Sequence, residues 1–276
     1  MFRAALNNLR ALTFLLVALV SYAGLLPASA FEGELVEIPG GRFVMGDPSG
    51  EADETPRVVI VRPFRLMRHE VTNRQFFEFV AATGYVTDPE RSGSGYVWTD
   101  RWRRVRGAGW RHPHGPADTI AGRGDHPVVQ VSARDAGAFC RWAGLRLPTE
   151  KEWEFAARGA DGRRYPWGPA PPRHAGAHRA NFGALPCCAA DDSDGYLKTA
   201  PVGRFPLGAS PFGILDMAGN VWEWTASRFP GRPSEVVLRG GGWGNNPWCL
   251  RTSYRHGNPP DIGLDMVGFR CAGDVD

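Results

Sequence analysis

The chain has 276 residues, 32 of them basic and 29 acidic, for a formal net charge of +3, a balance that gives a nucleic-acid partner no electrostatic support. Its 35 glycines and 23 prolines stay below the range of disordered chains, and ten tryptophans with fifteen phenylalanines argue for a packed, loop-rich domain. That length is enough for one substantial core.

Residues 1–30 have an arginine-bearing start, an apolar stretch from Leu12 to Leu26 and the small-residue ending Ala28-Ser29-Ala30. This is the pattern of a secretory signal peptide, a retained anchor being the alternative. It predicts a domain over 31–276 that works in the periplasm or is secreted, with no membrane association after cleavage. Five cysteines in an exported chain imply disulfides and one sulfur left over. A bridge between the neighbours Cys187 and Cys188 is strained, so each is expected to look elsewhere or stay reduced.

Strands are predicted at 35–38, 43–45 and 58–64. Thr72-Asn73-Arg74-Gln75 is a capping box that opens a helix carrying Phe76, Phe79 and Val80 and stopping at Gly84. Ser132 opens a second helix with Ala136, Phe139, Cys140 and Ala143 at i, i+3, i+4 and i+7, which puts Cys140 on the buried face before Gly144. Thr149 caps a third, with Trp153 and Ala156 inward and Gly159 as the stop. After it come about sixty residues without a sustained period, a length that suggests a functional surface or ions holding irregular backbone. Strands at 221–225, 236–239 and 268–271 complete a single α+β domain with little regular structure.

In LDMAGNVWEW, Leu215 to Trp224, the carboxylates of Asp216 and Glu223 and the carbonyls of Gly219 and Val221 offer an oxygen cage of the kind Ca²⁺ prefers; a solvated surface turn has the same pattern. Asn181 with the Phe182 carbonyl, and Asp194 with the Tyr196 carbonyl, form a second oxygen-rich set. His112, His114 and His126 are transition-metal candidates by residue type, with backbone-bonded loop histidines as the plainer reading. The run RGGGWGNNPWCLRTSYR, Arg239 to Arg255, holds one cysteine, Cys249. Its glycines let backbone approach closely. Trp243, Trp248 and Tyr254 can line a pocket, and Arg251 and Arg255 can hold a carboxylate or carbonyl; core aromatics and ion-paired arginines are the alternative. Two-electron thiol chemistry and tight Cu(I) binding need a second sulfur nearby.

The segments IPGGRFVMG (38–46), RHEVTNRQFFEFVAATGY (68–85), GWRHPHGP (109–116), HPVVQVSARDAGAFCRWAGLRLPTEKEWEFAARG (126–159), FGILDMAGNVWEWT (212–225), RGGGW (239–243) and GFRCAG (268–273) resemble, in order, the formylglycine-generating enzyme or sulfatase-modifying factor family. The resemblance implies a C-type-lectin-like α+β fold, Ca²⁺ at Asn181, Phe182, Asp194 and Tyr196 and at Asp216, Gly219, Val221 and Glu223, and a disulfide between Cys140 and Cys271. It also implies Cu(I) held by two cysteines of the glycine run, which oxidise a substrate cysteine within Cys-X-Pro-X-Arg of a sulfatase using O₂. Here the first of those positions is Asn245. The second aligns with Cys249 through a one-residue gap, and the family serine is Gly242. The expectation is an oxidoreductase acting as a monomer in the maturation of a peptide, protein or small molecule. Cys249, Trp248, Arg251 and Asn245 would form its catalytic site and Trp243 and Arg255 would bind substrate; copper cannot be held by Cys249 alone and would need Cys187 or Cys188 as the second sulfur, the alternative being that one of them simply bridges Cys249 in a disulfide. The alternatives are a lectin-like module that binds a ligand without chemistry, and a divergent oxidase acting on a small molecule such as a siderophore.

Overall fold

The computed structural model describes residues 33–185 and 188–275; the signal-peptide reading of 1–30 and the roles weighed for Cys187 lie outside the described residues. In chain order the structure runs β1 Leu35–Ile38, β2 Gly41–Met45, β3 Arg57–Val61, β4 Phe64–Met67, α1 Asn73–Thr83 and α2 Asp88–Ser92. There follow β5 Ser94–Trp98, β6 Trp102–Arg106, α3 Ala133–Trp142 and α4 Glu150–Arg158. Next are the two-residue pair β7 Arg173–His174 and β8 Ala177–His178, then β9 Trp222–Phe229, β10 Arg232–Arg239, β11 Arg255–Asn258, β12 Val267–Gly268 and β13 Ala272–Asp274.

Two sheets carry the domain. One has the order β1-β4-β13, all antiparallel, so the first and last described strands share it. The other has the order β11-β10-β9-β12, with β12 parallel to β9. The predicted strand at 58–64 is divided at Arg62-Pro63, because Pro63 has no N–H to offer a ladder. That at 268–271 is replaced by β12 and β13 on different sheets, with the chain crossing between them where Arg270 bonds Glu223 and Cys271 bonds Cys140.

The three long helices form where their caps place them. Thr72, Ser132 and Thr149 each accept from the N3 backbone N–H while Gln75, Asp135 and Glu152 reach back to the cap. Phe76, Phe79 and Phe139 meet Phe269 and Trp110 in one aromatic core, with ring centroids from 5.3 to 6.4 Å apart. In α4 the acidic residues are buried along with Trp153 and Ala156. Glu150 and Glu154 face inward because Arg239 meets them at 2.6 and 2.8 Å and Arg158 meets Glu154 at 2.8 Å. Buried carboxylates need such partners. Cys140 and Cys271 are bridged, with Cα atoms 5.6 Å apart, and join α3 to the start of β13.

Candidate functional site

The site begins where β10 ends. Arg239 is buried against Glu150 and Glu154 and also donates to the carbonyls of Thr252 and Ser253 at 3.0 and 2.9 Å, which ties both ends of the glycine run to α4. Gly240 and Gly241 then take φ values of 97° and 74°, left-handed conformations that favour glycine. A Cβ at Gly241 would lie 3.0 Å from the Cys249 carbonyl oxygen, so the run doubles back with Cys249 against Gly241.

A second sulfur arrives from the aperiodic segment. Gly183 donates its N–H to the Asn245 carbonyl at 2.8 Å, and a Cβ on Gly183 would sit 2.5 Å from the Gly244 oxygen. That approach, with the Ala184–Ala189 bridge, carries Cys188 to Asn245, whose Nδ2 lies 3.5 Å from Cys188 Sγ. Asn245 is fixed from its other end, where Oδ1 accepts from Trp222 Nε1 at 2.7 Å and from the Gly242 N–H at 2.9 Å. Trp98 Nε1 donates to the Cys188 carbonyl at 2.6 Å, and Trp102 stands edge-on to Trp98 at 5.2 Å. Cys188, Asn245 and Cys249 thereby line one cavity of about 170 Å³, walled by Trp102, Trp222, Tyr254, His256 and Met266. Where the family serine would stand, Met266 fills the space: a Cβ on Gly242 would be 2.5 Å from Met266 Cγ.

Of the residues singled out in the sequence, Cys188, Asn245, Cys249 and Tyr254 line this cavity. Trp243 is core, its Nε1 donating to the Asp265 carbonyl at 3.3 Å. Trp248 is exposed beside the cavity, donating to Glu51 at 2.8 Å and lying over the Arg251 guanidinium at 3.9 Å. Arg251 is buried and bidentate with Glu54 at 2.7 and 2.8 Å, so it supports Trp248 rather than meeting a substrate. Arg255 pairs with Glu150 and Asp53 and borders an open depression of about 450 Å³ that shares Tyr254 and His256 with the cavity.

Sequence reasoning missed His256 and Cys188's exact contact. His256 stands at the exposed edge of the cavity, where the protein packed around its ring, and then the Arg232 charge, lower its pKa below the usual imidazole value. His112, His114 and His126 do not converge: they bond the Asp118 carbonyl, the Asp118 carboxylate and Thr199 respectively. Burial pushes Asp265 up to about 6, with Lys198 at 3.3 Å opposing the shift.

For a hard cation the two oxygen sets differ. Asn181 Oδ1 and Asp194 Oδ2 are buried acceptors without a donor, and burial raises the Asp194 carboxyl, so this set fits a cation ligated by oxygen. In the other set Glu223 gives Oε1 to Arg270 at 2.7 Å and Oε2 to both Arg270 and Trp153, which already balances its charge. Asp216 and the neighbouring Glu70 there are both raised chiefly by burial, with the Arg270 charge opposing the shift. The set does not fit as a cage built on Glu223. For Cu(I), the donor chemistry of Cys188 and Cys249 fits a soft ion.

Comparison with known proteins agrees with this geometry. Residues 25–275 match the model of the sulfatase-modifying factor enzyme 1-like domain. The formylglycine-generating enzyme of Streptomyces coelicolor is 43% identical over 87% of this chain and 89% of its own. The inactive C-alpha-formylglycine-generating enzyme 2 of Mus musculus is 40% identical over 94% of this chain and 91% of its own. Among solved structures, PvdO from Pseudomonas aeruginosa superimposes with a TM-score of 0.66 at 28% identity, covering 88% of this chain and 95% of that one. With its α+β fold, its bridged Cys140 and Cys271 and its folded-back glycine run, the chain belongs to the formylglycine-generating enzyme, or sulfatase-modifying factor, family.

Proposed function

We propose that this chain is an exported maturation oxidase that converts a cysteine of a partner protein, such as a sulfatase cysteine within Cys-X-Pro-X-Arg, to formylglycine, using Cys188 in place of the first cysteine of the glycine run. One observation carries the reading: Asn245, which stands where the family resemblance expects the first cysteine, donates from Nδ2 to Cys188 Sγ at 3.5 Å in the cavity that Cys249 also lines. An N–H donor to sulfur favours its thiolate. In reduced form Cys188 and Cys249 would hold Cu(I), which when bound supplies one-electron chemistry with O₂.

The rest falls to this chain's residues. A cavity of about 170 Å³ takes one side chain, so the substrate peptide would lie along the adjoining depression, which Glu51, Asp53, Arg232 and Arg255 border. Trp102, Trp222 and Tyr254 exclude water, and neutral His256 accepts the proton of the entering thiol. Ca²⁺ at Asn181 and Asp194, with the Phe182 and Tyr196 carbonyls, would steady the segment that carries Cys188. The signal-like pattern of residues 1–30 supports action in the periplasm or outside the cell.

A second reading, a module that binds a peptide without chemistry, is favoured by Asn245 itself. It completes a hydrogen-bonded wall with Trp222 and Gly242, and a relative 40% identical is named inactive. Mass spectrometry of a Cys-X-Pro-X-Arg peptide incubated with the protein, Cu(I), a thiol reductant and air separates the two. Aldehyde from the wild type, lost in both Cys249→Ser and Cys188→Ser, is the expected result. Full activity in Cys188→Ser would sink the role given to that residue. Binding of the peptide without aldehyde favours the module, and O₂ uptake without aldehyde points to a small-molecule substrate.

A further inference from the structure

A groove of about 880 Å³ runs between α3, the start of α4 and the β9–β10 pair, separate from the residues of the cysteine cavity. Its volume falls in the range of about 300 to 1,000 Å³ typical of ligand sites. The floor is apolar and low-profile, with Gly137 and Ala138 of α3 beside Leu147, Val236 and Pro260. Between Arg134 and Arg141, Gly137 and Ala138 keep the middle of α3 low; Arg141 Nη1 lies 3.3 Å from where a Gly137 Cβ would be built, which sets a cation directly above this part of the floor.

The rim has the opposite character. Arg91, Arg134 and Arg146 border the groove and are held by Asp88, Asp88 and Glu152. Arg141, Lys151 and Arg228 also border it, are exposed, and have no side-chain hydrogen bond or ion pair among the described residues. Glu152, the one acidic residue lining the groove among the described residues, is taken by Arg146 and by the Thr149 cap. Asp88 and Glu152 already offset Arg91, Arg134 and Arg146, so the positive charge left on the rim is that of Arg141, Lys151 and Arg228, which an anion lying in the groove would offset.

We infer that this groove docks an extended, acidic segment of a partner polypeptide, with alternate small apolar side chains on the floor and carboxylates toward Arg141, Lys151 and Arg228. Successive side chains of an extended chain point to opposite sides, which matches a floor of one character and a rim of the other. The recessed floor fits a chain better than a flat lipid surface, which meets raised apolar groups. The inference is independent of the chemistry assigned to Cys188 and Cys249. β9 and β10 nevertheless serve both places, giving Trp222 and Leu238 to the cavity and Thr225 and Val236 to the groove.

The test is fluorescence anisotropy with a fluorescein-labelled peptide alternating glutamate with alanine and valine, beside matched peptides carrying glutamine or lysine. The wild type should bind the glutamate peptide alone, more weakly as salt rises. Arg141→Glu/Lys151→Glu/Arg228→Glu should weaken binding by about tenfold or more, because three exposed attractions become repulsions. Ala226→Trp, which fills the groove at an exposed position and keeps every charge, should weaken it too. No binding of the glutamate peptide, equal binding of the glutamine peptide, or affinity that survives both variants overturns the inference. So does binding of anionic phospholipid vesicles through the same three cations in place of the peptide, which would assign the groove to a lipid surface.

Discussion

Gly242 and Met266 occupy each other's space. With Met266 Cγ 2.5 Å from where a Cβ would be built, and the Met266 carbonyl 3.3 Å away, restoring the serine that family members carry after the glycines forces that side chain from its place in the cavity wall. Gly242→Ser should therefore lower stability by roughly 1 to 3 kcal/mol, the usual cost of overpacking. In a Met266→Ala background, itself less stable because a buried side chain is removed, adding Gly242→Ser should cost much less than it does in the wild type. Equal melting temperatures for the wild type and Gly242→Ser would disprove this account of the substitution. Neither partner announces the other in the sequence, since 24 positions separate glycine from methionine and no periodicity links them. Cys188 is hidden for the same reason. An adjacent cysteine pair is visible in the sequence, but the contact with Asn245 depends on Gly183 and Gly244 meeting face to face.

Elements were more legible, where local chemistry decides them. The capping boxes at Thr72, Ser132 and Thr149 predict the starts of α1, α3 and α4, because side chain and backbone satisfy each other within four residues. The five-residue α2 is too short for a helical period, and the β5–β6 hairpin carries Arg103, Arg104 and Arg106 without clean alternation. Missing that hairpin meant missing Trp102, one wall of the cavity. The inward acidic face of α4 was also unreadable, because its reason lies in Arg239, far along the chain. The link between α3 and β13 can be measured directly. Cys140→Ala with Cys271→Ala should cost about 2 to 5 kcal/mol, since the bridge closes a loop of 131 residues. A urea midpoint shifted no more than that of a surface control would show that the bridge contributes little.

At the scale of the molecule, the long irregular segment before β9 is held by side chains where a ladder would otherwise be. Asn181 Nδ2 donates to the Lys198 carbonyl at 2.6 Å, and the Ala200 N–H donates to Asn220 Oδ1 at 2.9 Å. The unmatched Asn181 Oδ1 and Asp194 Oδ2 lie in the same segment. If they ligate Ca²⁺, a chelator should lower the melting temperature by mass action and leave Asp194→Ala unmoved. Identical wild-type curves in chelator and in excess Ca²⁺ would remove the ion from this account.

The sheet in which β4 joins β1 to β13 sets a different condition, one of order in time. Its closing strand is made of residues 272–274, and the sulfur that pins it comes just before, so no shorter length of chain contains a finished sheet. A growing polypeptide must expose residues 272–274 before β4 can hold both of its neighbours. Pairings so distant along the chain make for slow closure, and a chain slow to close stays threadable for longer.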